Sequence, residues 1–140
     1  MLFYFGFGTV LLISDCCAIV TFQESDTEKI LYGLDDITGA SDIIIVEGEM
    51  DKLAMEEAGF RNCVSVPDGA PASVSKKDLP PEDQDTKYQY LWNCKEFFEK
   101  ASRIILATDG DPPGQALAEE LARRLGRERF IFFSFDVMIM

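Results

Sequence analysis

Two short apolar runs rich in β-branched residues, DIIIV (Asp42–Val46) and RIILATD (Arg103–Asp109), each pass at once into a segment of helical character. This alternation constrains the fold more than any other feature. Strands buried on both faces and joined through helices belong to parallel sheets. After DIIIVEG comes EMDKLAMEEAG, with early acids that favour a helix N-terminus and Gly59 as its stop. NCVSV (Asn62–Val66) reads as a second strand ending in the turn PDGAP. Residues 71–86 are polar and proline-rich and are expected to form an exposed loop, followed by a helix over residues 90–101 around Trp92. The clearest helix is PPGQALAEELARRLG. There Leu117, Leu121 and Leu125 recur every four residues, and Glu119–Arg123 and Glu120–Arg124 are spaced as i,i+4 pairs. Its prolines sit where a helix start tolerates them, and Gly126 follows its end. A last strand is expected in RFIFFSFDVMIM. The order β-α-β-α-β-α-β predicts an α/β fold, a Rossmann-like parallel sheet with helices on both faces.

At 140 residues the chain suits one domain, assigned here to residues 27–129. Residues 1–26 are read as an apolar N-terminal extension and residues 130–140 as an apolar C-terminal strand or tail. Residues 1–22 carry no base, the first being Lys29, so neither a secretory signal nor an Arg-rich transit peptide fits. Their length just reaches across a bilayer, which leaves a membrane anchor and a leader packed on the domain as the two readings.

With 25 acids against 13 bases, a net charge of −12 makes the chain alone a poor partner for a phosphate backbone. Bound cations or basic partner chains would have to neutralise its carboxylates. The absence of histidine excludes Ser-His-Asp and Cys-His schemes, histidine zinc sites and histidine general bases. Cys16, Cys17, Cys63 and Cys94 lack CxxC spacing and read as buried thiols. Chemistry must rest on carboxylates, lysines, hydroxyls or a carboxylate-held metal.

The acids fall where such a metal belongs. In parallel sheets, sites form at the carboxyl ends of the strands. Glu47 ends the first core strand, and Asp109 and Asp111 end the third. Residues two apart in an extended segment point to one side, so both aspartates can face one point, with Gly110 permitting the turn and close approach of a ligand. A ligand set of oxygens alone suits Mg²⁺, with Mn²⁺ as a substitute. Two plainer readings compete: the aspartates cap the next helix, or the segment is an EF-hand loop with Asp109, Asp111, Gly114 and Glu120 at positions one, three, six and twelve. Pro113 at the fifth position carries no side-chain oxygen and the incoming segment is a strand, so the EF-hand reading fails. Glu47 and Asp51 alone read as a solvated strand end and a helix cap. Paired, the pattern is strand-EGxxD-helix and then strand-DxDxxG-helix.

IIIVEGEMDKLAMEEAG and RIILATDGDPPGQALAEELARRLG resemble the two signature motifs of the TOPRIM domain, shared by type IA and type II topoisomerases, DnaG-type primases and related nucleases. Together with EGEMDKLAMEEAGFRNCVSVPDGAPASVSKK and YQYLWNCKEFFEKASRIILATDGD, they are most similar to the primase module of phage-type primase–helicases and their Twinkle-like plant organellar relatives. The resemblance implies roles. Glu47 is a general acid/base or metal ligand, and Asp109 and Asp111 hold Mg²⁺. Gly48, Asp51, Gly110 and Gly114 support the motifs. It also implies primer synthesis on single-stranded DNA from nucleoside triphosphates in DNA replication, and a mitochondrial or chloroplast location. Lys76 and Lys77 are candidate phosphate contacts, set against a plain solvated loop.

The chain departs from that pattern in several places. It has no GxxxxGK[ST] helicase loop and no four-cysteine zinc ribbon, so a helicase or polymerase partner chain is implied. Asp136 has no spacing that fits the family's further acidic motif. These departures predict a truncated relative. They leave three activities open: a primase-type nucleotidyltransferase, a non-catalytic TOPRIM remnant or accessory module, and a small Mg²⁺-dependent nuclease.

Overall fold

The structure, a computed structural model, describes residues 2–5, 9–13, 19–23 and 28–135, with side chains described over residues 28–131. Asp15, Cys16, Cys17 and Asp136 lie outside the described residues. Within the apolar N-terminal stretch, β1 (Leu2–Phe5), β2 (Thr9–Ile13) and β3 (Ile19–Gln23) form an antiparallel sheet in that order. No helix among the described residues is long and apolar enough to cross a membrane.

The remaining strands build the expected parallel sheet: β4 (Asp42–Val46), β5 (Cys63–Ser65), β6 (Arg103–Asp109) and β7 (Phe130–Phe135). Their spatial order is β5-β4-β6-β7. From β4 the chain steps one way to β5, through α1 (Glu49–Glu57), and then crosses back over β4 to β6. That crossover contains α2 (Gln89–Asn93) and α3 (Lys95–Lys100), and α4 (Pro112–Leu125) leads on in the same direction to β7. Right-handed crossovers taken in opposite directions put their helices on opposite faces.

The packing agrees with strand alternation. Ile43, Ile45, Ile104 and Leu106 join Leu91 and Phe98 of α2–α3 and Leu117 and Leu121 of α4 in one buried cluster. Ile44, Val46, Cys63 and Ala107 form the other, against Met55 of α1. Burial pushes the Cys63 thiol up to about 12, the behaviour of an inert core residue.

Helix ends follow their sequence signals closely. Past α1, Gly59 (φ 95°) donates to Glu56 O at 2.9 Å and Phe60 to Met55 O at 2.9 Å, the paired bonds of a Schellman motif. The helix expected over residues 90–101 instead breaks at Cys94, whose N–H bonds back to Leu91 O at 3.2 Å. Beside the break, Asn93 spends its side-chain amide on the Lys29 carbonyl at 2.8 Å.

The loop of residues 71–86 departs from expectation more instructively. Most of it is exposed, but Asp85 is buried. Arg124 reaches it from α4 with Nε 2.6 Å from Oδ2, and also pairs with buried Glu120. Glu120 accepts from the Ser75 N–H as well, while Arg123 donates to the carbonyls of Ser75 at 2.8 Å and Lys77 at 2.9 Å. A pair legible only as a surface i,i+4 spacing is thus the buried hub that straps the loop along α4. Burial acts to raise the Glu120 pKa, but the Ser75 N–H and the two arginines outweigh it and hold the carboxyl below its ordinary 4.5. A depressed carboxyl contributes stability above its unfolded value, and that stability is lost as pH falls through the folded one.

Arg124→Met leaves Asp85 buried without its guanidinium and Glu120 with Arg123 alone, and is expected to cost roughly 3–5 kcal/mol in urea unfolding at neutral pH. Glu120→Gln is expected to cost less and to flatten the acid side of the stability profile below about pH 4.5.

Candidate metal centre

The strand order reverses between β4 and β6, and crevices at such a switch point bind ligands. The β4–β6 ladder runs from Asp42↔Arg103 to Ile45↔Leu106, and β6 then continues alone beside β7 as far as Asp109↔Phe135. Glu47 follows β4 directly and closes the gap: its Oε1 accepts the Asp109 N–H at 2.7 Å. The two motifs are therefore joined at the carboxyl edge by a side chain, past the point where the backbone ladder ends.

Asp111 is the N-cap of α4, with extended backbone, and its Oδ1 accepts the Gly114 N–H at 2.9 Å. The helix-cap reading of this residue therefore holds, and its second carboxylate oxygen is left over. Gly110 is not among the glycines with positive φ, so its flexibility is not what shapes the turn. Its carbonyl instead accepts from Gln115 Nε2 at 2.7 Å. Gly114 is required by space. A Cβ built there would press on the Asp109 carbonyl oxygen and Glu47 Oε1 and lie 2.9 Å from the Asp109 carbonyl carbon.

On the neighbouring helix, Gly48 is the N-cap of α1 and its backbone hydrogen-bonds Asp51 in the first turn. Lys52, buried beside it, pairs with Asp36 at 2.7 Å and Glu56 at 2.5 Å and holds α1 to the 3₁₀ turn Leu34–Ile37. Nothing in its sequence context marks Lys52 as buried.

Electrostatics separate the two edges of the sheet. At the amino edge, Arg103 Nε donates to Asp42 at 2.8 Å and holds that carboxyl below its usual range. At the carboxyl edge, desolvation raises the Glu47 pKa, and Asp109, Asp111 and Asp51 push it further against the restraint of the Asp109 N–H. Asp51 is raised by desolvation and then by Asp109. Every neighbouring charge that shifts these two is an acid. The Asp109 side chain has no hydrogen bond or ion pair among the described residues.

As placed, no three Asp, Glu or Cys side chains among the described residues converge tightly enough to hold a metal ion. The donor set nevertheless fits one. These are hard carboxylate oxygens, carrying repulsion that no base offsets, as Mg²⁺ requires.

The N-terminus of α4 does not offer the anion site that helix starts usually provide. Pro112 and Pro113 have no N–H, Gly114 donates to its cap, and Gln115 N donates to Asp111 O at 3.0 Å. Lys76 and Lys77 are not brought to the carboxylates either. Arg123 holds the Lys77 carbonyl, eleven residues along α4 from Pro112, about 16 Å by helix rise.

The Toprim domain family matches residues 41–133, spanning both motifs, β4, β5, β6 and the first four residues of β7, and the chain belongs to that family. It is 72% identical over 108 residues to the Twinkle homolog protein, chloroplastic/mitochondrial, of Arabidopsis thaliana, a match covering 77% of this chain and 15% of that protein. It is also 72% identical over 107 residues to the primase homolog protein of the same plant, covering 76% of this chain and 32% of the relative. The chain thus spans less than a third of either. Among solved structures, the primase fragment of the bacteriophage T7 primase-helicase protein superposes with a TM-score of 0.61 at 23% identity, covering 89% of this chain and 46% of that one. This last likeness shows a shared fold.

Gly114→Ala is expected to displace the Asp109 backbone and to cost about 1–3 kcal/mol by chemical denaturation. Glu47→Gln keeps an oxygen for the Asp109 N–H while removing one repelling charge. The metal-free variant is expected to melt above the parent at neutral pH and to lose the parent's stabilisation by added Mg²⁺, both read by a thermal scan.

Proposed function

We propose that the chain carries a Mg²⁺-dependent nucleotidyl-transfer site of primase type, acting in primer synthesis on single-stranded DNA. The observation that supports this most directly is the uncompensated group of Glu47, Asp51, Asp109 and Asp111 at the switch point of a Toprim sheet. The names of its two plant relatives point the same way.

In this reading Asp109 and Asp111 hold Mg²⁺, or Mn²⁺, through the Asp109 carboxylate and the Asp111 oxygen that the Gly114 bond leaves over. Bound there, the metal supplies charge neutralisation to nucleotide phosphates and a template for in-line displacement. Glu47 is anchored through Oε1, which leaves Oε2 to ligate the cation or to take a proton from the attacking hydroxyl. Its raised pKa suits the second role. Asp51, tied to Gly48, stays on the rim and adds charge. Lys76 and Lys77 lie on the loop beside the far part of α4, and we assign them to the distal path of a nucleic acid strand.

The chain's excess of acids makes the cation a precondition for meeting either substrate. A helicase or polymerase partner chain would supply strand opening and extension. We place the protein in mitochondria or chloroplasts, a reading supported by the name of the Twinkle homolog.

The test is a primer-synthesis assay with single-stranded template, Mg²⁺ and nucleoside triphosphates. Product is expected, and it should fall about 10²–10⁴-fold in Glu47→Gln and in Asp109→Asn. Mg²⁺ binding without product would identify a non-catalytic Toprim module. Strand cleavage without nucleotides would identify a nuclease using the same carboxylates.

A further inference from the structure

The geometry points to Gln115 as a positioning residue for the aspartate pair: its side-chain amide sets the Gly110 peptide and thereby the directions in which Asp109 and Asp111 present their carboxylates to a divalent cation. This inference rests on the cation site proposed above.

Asp109 and Asp111 are separated by one glycine, the residue with the widest choice of backbone conformation. Two like charges joined through such a hinge are driven apart unless the hinge is held. Three other polar groups of the turn have partners of their own. Glu47 takes the Asp109 N–H, Asp111 Oδ1 takes the Gly114 N–H, and the Asp111 carbonyl takes the Gln115 N–H. The Gly110 carbonyl, between the two aspartates, accepts from Gln115 Nε2 at 2.7 Å.

That bond spans five residues and lies outside the helical backbone ladder. Gln115 is exposed, so packing does not explain its orientation. The chemistry of the side chain is also selective. A neutral amide donates a hydrogen bond without adding charge, whereas lysine or arginine would bring a cation to compete with the metal and glutamate has no donor when ionised. Groups that orient metal ligands in this way typically contribute 10–100-fold to metal affinity.

The whole chain is titrated with Mn²⁺ alone, followed by electron paramagnetic resonance, in the parent and in Gln115→Met and Gln115→Ala. Both replacements are good helix formers at an exposed position, so the helix itself is retained. The expected result is a Kd for Mn²⁺ raised about tenfold in both variants, with the metal-free Tm unchanged. Equal Kd values in parent and variants overturn the role of Gln115 and leave the metal site standing. A raised Kd accompanied by a lowered metal-free Tm also overturns it, because the bond would then support the helix. A parent chain that binds no Mn²⁺ overturns the proposed site and this inference together.

Discussion

The hydrogen bond from the Asp109 N–H to Glu47 is the interaction on which the site depends. Parallel pairing brings β4 and β6 side by side but stops at Leu106, short of the chemistry. The bond extends the connection past the ladder, and it holds only because Gly114 leaves room for both Glu47 and the Asp109 carbonyl. One acid is thereby fixed in place by the backbone of another acidic residue. Such an arrangement is strained in its charges while satisfied in its hydrogen bonds.

Stability is gathered elsewhere. The two apolar clusters bury the sheet on both faces, and several charges away from the carboxyl edge are matched: Asp42 with Arg103, Lys52 with Asp36 and Glu56, Arg124 with Asp85 and Glu120. The contrast is local and chemical. The acids named here have basic partners, whereas those at the switch point have other acids for neighbours.

Much of this was legible from residues. The β-branched runs marked the core strands, because burial on both faces demands unbroken apolar sequence. The four-residue leucine spacing marked α4, and Gly59 and Gly126 stand with positive φ past the helices they were expected to stop. The adjacency of Glu47 and the aspartate pair followed from the two motifs and their strands. What stayed hidden was set by contacts distant in sequence. Asp85 looked like one more loop acid, since nothing near it reveals that Arg124 will cover it. Cys94 lies in a run with helical composition, and its break arises where Asn93 turns to Lys29. Gln115 read as a surface helical residue, because a side chain reaching back over a helix start leaves no periodic trace. The apolar N-terminal run had the length of a span, but its described parts are strands, a distinction that hydrophobicity alone does not make.

Asp111 adopts φ −76° and ψ 167°. That extended geometry is what a residue before proline prefers even in an unfolded chain, because the ring of Pro112 crowds the helical alternative. Two successive prolines further reduce the conformations that this stretch explores before folding. The entropy normally surrendered in forming a helix start is small here. One member of a like-charged group thus stands on backbone that has little freedom to lose.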